Sequence, residues 1–157
     1  MLITWLLTAI VTFTVAYLFN RLFPTDYGWF MRLRRPAWLT FERAIPFIWI
    51  SIFLCGLTSA SLVWMQAPGT RETWVRMLGY VVVELAILAY MPLLCGWRSL
   101  RVGAIAGATG WVLGCLLCLW IWPVSRTAGL LLLPYLLWSP VGIYVTWDMI
   151  RLNPTEA

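Results

Sequence analysis

The segment "LLLLPYLLWSPVGIYVTWDMIRLNP", residues 130–154, decides the fold. Its apolar run is close to the roughly 20 residues that a helix needs to cross a bilayer. Pro134 and Pro140 would weaken a helix in water, but a membrane bundle tolerates them because neighbouring helices and water satisfy the freed backbone groups. Pro154 lies beyond the span and helps to end it. We therefore predict a membrane-spanning helix that packs against other helices.

The composition of the whole chain extends this prediction. Hydrophobic residues make up 62% of the 157 residues, and charged residues only 11%, whereas a soluble domain carries about 25% charged residues. A water-soluble fold of this length could not bury so much apolar surface. We predict a single-domain, all-α integral membrane protein over residues 1–157, with the lipid bilayer as its first partner.

Five apolar stretches have the length of membrane spans, and they are residues 2–19, 44–65, 77–95, 102–122 and 128–150. The first stretch lacks the basic start and the small-residue cleavage site of a signal peptide, so we keep it as a helix. The connection over residues 20–43 is long and contains several aromatic residues. We expect it to fold as a packed cap over one end of a five-helix bundle.

All eleven cationic residues are arginines, and they divide unequally between the two ends of the bundle. Eight fall on the side of the first loop: Arg21, Arg32, Arg34, Arg35, Arg43, Arg98, Arg101 and Arg151. Three fall on the other side: Arg71, Arg76 and Arg126. The positive-inside rule places the larger group in the cytoplasm, which puts the N-terminus outside and the C-terminus inside. We read the net charge of +5 as this topology signal and not as a nucleic-acid footprint.

Several chemistries are excluded or unsupported. The chain has no histidine, which removes histidine-based triads and histidine metal sites. Its four cysteines lie in or at the ends of apolar segments, and Cys115 and Cys118 form a CxxC without a second pair, so we interpret them as packing residues. We predict no metal site and find no catalytic constellation.

Two carboxyl groups enter the predicted helices. Glu84 lies within the third span, where a charge is costly, so it should face the bundle, pair or be protonated. It could contact a ligand or handle a proton, but we favour a structural hydrogen bond to a neighbouring hydroxyl or indole. Asp148 and Arg151 are three residues apart, and we expect them to form an ion pair that closes the last helix.

The fourth span carries a stripe of small residues on one helical face: Gly103, Gly107, Gly110 and Gly114. Their spacing contains two GxxxG units, which allow helix backbones to approach closely in lipid. The spacing predicts helix packing along this face. It leaves open whether the neighbour lies in the same bundle or in another protomer.

Three stretches resemble the TspO/MBR family, the tryptophan-rich sensory or translocator proteins. In the last span the matching residues are Pro134, Tyr135, Trp138 and Tyr144, followed by "RLNP". In "RPAWLTFERAIPFIWISIFLCGLTSAS", residues 35–61, they are Pro36, Trp38 and Trp49. A weaker match is "YMPLLCGWRSLRVGA", residues 90–104. The resemblance extends over nearly all of the chain from Asp26 onward.

The resemblance implies a five-helix bundle, often dimeric, with a pocket beneath the first loop that binds porphyrins and other tetrapyrroles. Some family members bind sterols or synthetic drug-like ligands. Carried over by position, the ligand site would comprise Trp38 in the lid together with Trp49, Phe53, Tyr90, Trp138 and Gly142. Independently of the family, Trp138 and Gly142 are four residues apart and so share a helix face.

The sequence also departs from the family pattern. Leu39, Thr40 and Phe41 stand where the family usually has an asparagine and two prolines, and Tyr90 stands where it has a tryptophan. Ile87 and Thr146 each replace an asparagine. The resemblance therefore implies that most polar ligand contacts are lost, while the aromatic walls remain.

These observations support three functional hypotheses. We favour a membrane-embedded binding protein for tetrapyrroles or similar flat hydrophobic molecules, acting in their transport, sensing or regulation. It would need no obligatory cofactor, and Arg32, Arg34 and Arg35 would face ligand propionates, unless they serve only as topology charge and contacts to anionic lipid. The alternative is an accessory subunit of a larger membrane complex, for example a pigment–protein assembly. Enzymatic degradation of porphyrin is a third hypothesis, but no residue spacing requires it. We expect a homodimer or a larger complex in a bacterial inner membrane.

Overall fold

The computed structural model describes residues 2–156, and every regular element in this range is helical. The helices are α1 (Leu2–Leu22), α2 (Tyr27–Met31), α3 (Ile45–Gln66), α4 (Arg71–Gly96), α5 (Leu100–Ile121) and α6 (Arg126–Leu152), with 3-10 turns at Glu42–Ala44 and Pro154–Glu156. Five of the helices within residues 2–156 are long and apolar enough to cross a membrane. This confirms the predicted five-span helical fold.

Polar caps, which hydropathy does not detect, set the starts of three membrane helices. The side chains of Thr70, Ser99 and Ser125 accept hydrogen bonds from the backbone N–H groups of Thr73, Val102 and Ala128. Such caps satisfy N–H groups that have no partner inside the helix. As a result α4 begins at Arg71 and not at residue 77, and its first turn is polar.

The bundle accommodates two prolines within α6. Helix α6 continues through Pro134 and Pro140. Because proline has no N–H, Pro140 leaves the carbonyl of Leu136 without its usual helical partner. The indole Nε1 of Trp111 on α5 donates to this carbonyl at 3.0 Å. A neighbouring helix therefore supplies the missing hydrogen bond.

The glycine stripe on α5 faces α4 and α6. Gly103, Gly110 and Gly114 are buried. A Cβ atom at Gly103 would overlap the side chain of Leu94 on α4, and one at Gly114 would overlap the ring of Tyr135 on α6. The close neighbours of these glycines thus belong to the same bundle.

The first loop packs on one end of the bundle. Trp29 and Leu33 form a buried cluster with Leu94, Cys95, Leu100 and Met149 from α4, α5 and α6. Asn153 fixes the loop from the end of α6, because its Oδ1 accepts from the N–H of Arg34 at 2.9 Å and its Nδ2 donates to the carbonyl of the same residue at 3.1 Å. Trp29 also donates to Glu156 at 2.8 Å. The loop is therefore a structured cap.

The prediction of an ion pair between Asp148 and Arg151 is wrong. Asp148 instead accepts a hydrogen bond from the indole Nε1 of Trp38 at 2.9 Å, and Arg151 forms no salt bridge within residues 2–156. The loop brings Trp38 onto α6 from 110 positions away. A helix-spacing argument considers only neighbours on the same helix, so it could not identify this partner.

A candidate ligand cavity beneath the first loop

A cavity of about 650 Å³ lies beneath the first loop and between α3, α4, α5 and α6. This volume falls in the range of roughly 300–1,000 Å³ that is usual for small-molecule sites. Five of the six residues predicted for a ligand site line it: Trp49, Phe53, Tyr90, Trp138 and Gly142. The structure thus brings together residues from three helices that are far apart in the sequence.

Aromatic rings form much of the cavity wall. The ring of Trp49 lies 6.3 Å from that of Phe53 and 6.4 Å from that of Tyr135, measured between centroids. The loop residue Phe41 meets Trp138 edge-on at 6.1 Å. Aromatic faces and edges in such arrangements offer stacking surfaces to a flat conjugated ligand.

Trp38 does not line the cavity, although the family resemblance placed it in the lid. Its indole packs 5.5 Å from Tyr144 and 6.2 Å from Phe41, and it donates to Asp148. Trp38 therefore anchors the cap to α6, while Phe41 presents its ring to the cavity. Sequence reasoning missed Phe41 because it was considered only as a departure from the family's proline, and its aromatic character was the available signal.

Gly142 provides space within the cavity. Apart from its own local backbone, no heavy atom of the described residues lies within 4 Å of a Cβ atom built at this position. Gly107 and Gly110 of the α5 stripe also line the cavity. These two glycines therefore form part of the cavity wall and also contact the helices next to α5.

The hydroxyl of Tyr90, a residue of the cavity lining, is bonded to that of Thr146 on α6. Thr146, which stands where the family has an asparagine, donates to the carbonyl of Gly142 at 3.0 Å. Because that proton is already used, the Tyr90 hydroxyl is the donor in the 2.5 Å hydrogen bond between Tyr90 and Thr146. The Tyr90 oxygen retains a lone pair that a ligand could use.

Charge enters the cavity lining through Arg35 and Glu42. The Nε of Arg35 lies 3.1 Å from Oε1 of Glu42, and its guanidinium lies 4.2 Å above the ring of Phe30. The side chains of Arg32 and Arg34 do not line the cavity, and both residues are exposed. Only one member of the predicted arginine trio is thus placed to meet a ligand.

Glu84 lies apart from this cavity. It is 9% exposed, and its Oε1 is buried without a hydrogen-bond partner in the described part of the chain. The hydrogen bond that we favoured for this carboxyl is therefore not made by Oε1. The tyrosine hydroxyl one turn earlier, that of Tyr80, is already bonded to Ser59 at 2.6 Å.

No group of three or more histidine, cysteine, aspartate or glutamate side chains within residues 2–156 could hold a metal ion. The four cysteines, Cys55, Cys95, Cys115 and Cys118, are free thiols. Among the residues described, the cavity therefore offers aromatic surface, a few hydroxyls and one ion pair.

The sequence is similar to known proteins over most of its length. The sequence matches the TspO/MBR family over residues 4–152. It is 26% identical to Protein CrtK of Rhodobacter capsulatus over 130 residues, which cover 82% of this chain and 81% of that protein. It is 23% identical to the tryptophan-rich protein TspO of Bacillus cereus over 145 residues, covering 91% and 92%.

A mammalian relative is similar at a comparable level. Translocator protein 2 of Mus musculus is 30% identical over 134 residues, which cover 78% of each chain. The family match extends through all five membrane helices and the capping loop. The chain belongs to the TspO/MBR family.

Proposed function

We propose that this protein binds tetrapyrroles of the porphyrin type, or flat hydrophobic molecules like them, in the cavity beneath the first loop. The observation that carries the proposal is the cavity itself, about 650 Å³ in volume and walled by Trp49, Tyr135 and Trp138. Ligand sites are typically concave and apolar, with a few polar groups that set orientation. A role in transport, sensing or regulation of such ligands accords with binding in a membrane.

The mode of binding follows from the lining. Indole and phenol rings would stack on a conjugated macrocycle, and the open space at Gly142 would admit its edge. Because the chain has no histidine, a metal in a bound porphyrin would have no imidazole ligand. Recognition would therefore depend on shape, stacking and the polar groups at Tyr90 and Arg35.

A glycine stripe that packed against another protein would support the accessory-subunit alternative. The stripe on α5 packs inside the bundle against Leu94 and Tyr135, so it no longer favours an outside partner. Helix α1 buries only Ala9 among its described residues, and this apolar outer face is suited to lipid. We therefore keep the binding function as the first proposal.

We also propose that the capped end of the bundle faces the cytoplasm of a bacterial cell. Eight of the eleven arginines lie at this end, and the positive-inside rule places such a cluster in the cytoplasm. A green fluorescent protein fused after residue 157 would test the orientation in a bacterial host, since this reporter does not mature after export in unfolded form. Fluorescence is expected, and a dark but membrane-inserted fusion would contradict the orientation.

Ligand binding can be measured on the purified protein in detergent. Protoporphyrin IX is titrated, and its own absorption band is followed, so that removing a tryptophan does not remove the reporter. Saturable binding is expected, and Trp138→Ala should weaken it by about tenfold through loss of stacking and contact area.

The matched control is Trp147→Ala, because Trp147 lies on the same helix, is exposed and does not line the cavity. It should bind as the unchanged protein does. Equal weakening in the two variants, or no saturable binding by the unchanged protein, would refute the proposed site. Recovery of the unliganded protein in a stoichiometric membrane complex would favour the accessory-subunit alternative.

A further inference from the structure

Arg35 is held in the cavity wall by contacts that fix the plane of its guanidinium. It stacks over the ring of Phe30 at 4.2 Å, and its Nη1 donates to the carbonyl of the same residue at 3.1 Å. The side chain is 19% exposed. An arginine fixed in this way is preorganised to present its remaining N–H groups in one direction.

Those remaining N–H groups are only partly used. Nε donates to Oε1 of Glu42 at 3.1 Å, whereas Nη2 has only the sulfur of Met31, at 3.9 Å, within the described residues. Nε and Nη2 form one edge of the guanidinium, and this edge matches the two oxygens of a carboxylate. Glu42 therefore occupies half of a site that suits a bidentate acid.

Glu42 is suited to being displaced. Its side chain is 50% exposed and lies in the 3-10 turn that precedes α3. An ion pair with one partner so exposed contributes little, because water and salt screen it and water can readily solvate the released carboxylate. Replacing Glu42 by a ligand acid would exchange one charge pair for another at small cost.

We infer that the cavity selects flat apolar ligands that carry a carboxylate at their edge, and that this carboxylate binds Arg35 in exchange for Glu42. The inference rests on the proposed function and adds the chemical class of the ligand. Glu42 already occupies Nε of Arg35, so a neutral ligand of the same shape can gain at most a single hydrogen bond, from Nη2. The contribution of Arg35 is specific to the acid, whereas that of the aromatic wall is common to both kinds of ligand.

The test compares mesoporphyrin IX, which carries two propionates, with its neutral dimethyl ester. Each is titrated against the full-length protein in detergent, and variants are compared for one ligand at a time so that partitioning into micelles cancels. Glu42→Gln should tighten binding of the acid by about two- to fivefold relative to any change in binding of the ester. Arg35→Gln should weaken binding of the acid by about tenfold or more relative to any change in binding of the ester.

Arg34→Gln is the matched control for net charge, because Arg34 is in the same loop but its side chain lies outside the cavity. It should leave both affinities unchanged. Arg35→Lys, which keeps the charge but loses the two-N–H edge, should give an intermediate affinity for the acid. The tighter binding of the acid expected for Glu42→Gln cannot arise from misfolding. It therefore tests whether Glu42 competes with the ligand carboxylate even if an Arg35 variant folds poorly.

The outcomes separate this inference from the proposed function. If both porphyrins bind and the Glu42 and Arg35 variants shift the two affinities equally, or not at all, the ion pair is only structural and the inference is overturned. If neither porphyrin binds the unchanged protein, the proposed function fails and the inference fails with it. Opposite, acid-specific shifts in the two variants would establish the exchange.

Discussion

Replacing Gly142 with leucine would fill the cavity from α6 without disturbing the packed parts of the bundle. Within residues 2–156, a Cβ atom at Gly142 has no non-local heavy atom within 4 Å, so the larger side chain has space into which it can extend. Leucine also has a higher helix propensity than glycine, by about 1 kcal/mol. We therefore expect the variant to be as stable as the unchanged protein, or more stable by up to about 1 kcal/mol.

Ligand binding should respond in the opposite direction. A ligand that occupies the space beside Gly142 would have to shift or would overlap the leucine side chain. Overpacking of this kind costs about 1–3 kcal/mol, which corresponds to a loss of affinity of about 5- to 150-fold. Thermal unfolding in detergent measures stability, and titration with protoporphyrin IX measures affinity.

Gly56→Leu is the matched control. Gly56 lies on α3, and a Cβ atom there also has no non-local heavy atom of the described part of the chain within 4 Å, but the residue does not line the cavity. It should show the same stability and unchanged affinity. Destabilisation of the protein by more than about 1 kcal/mol in Gly142→Leu, or equal porphyrin binding by both leucine variants, would contradict this prediction.

Three other substitutions test separate features. Trp111→Phe should lower the free energy of unfolding by about 1–3 kcal/mol, because the Leu136 carbonyl loses its donor. Chemical denaturation measures this loss, and Trp120→Phe, at an exposed tryptophan of the same helix, is the control. Equal losses in the two variants would contradict the role given to the Trp111 hydrogen bond. Glu84→Leu should raise the thermal midpoint, because it removes a buried carboxyl oxygen that has no hydrogen-bond partner among residues 2–156. A lower midpoint would point to a role in folding for the carboxyl. Asn153→Ala should increase hydrogen exchange in the first loop, because the two hydrogen bonds to the Arg34 backbone are lost, while α5 stays protected. Unchanged exchange in the loop would show that these two hydrogen bonds do not hold it in place.

The sequence was sufficient for the number of spans because apolar length is a direct physical requirement of a bilayer. The helix ends were harder to predict from the sequence, since capping by Thr70 and Ser99 is a polar and local effect. Hydropathy therefore placed the start of α4 too late. The wall residues Trp49 and Trp138 were predicted from the family resemblance, and helical spacing independently gave the shared face of Trp138 and Gly142.

The path of the first loop could not be derived from the sequence. Its contacts join residues that are more than 100 positions apart, as between Trp38 and Asp148 or Trp29 and Glu156. No periodicity links such residues, and the nearest charged neighbour on the helix was a misleading guide for Asp148. Only the folded chain shows that Phe41 turns inward while Trp38 turns toward α6.

The two hydrogen bonds from Asn153 to the backbone of Arg34 have a consequence for biogenesis. The two residues are 119 positions apart, and a ribosome completes the N-terminal part of a chain first. When the loop containing Arg34 emerges, the residue that fixes it has not been made. Water must satisfy the Arg34 N–H and carbonyl groups until the fifth span is complete, so the cavity is roofed only after every helix of its wall has been synthesised.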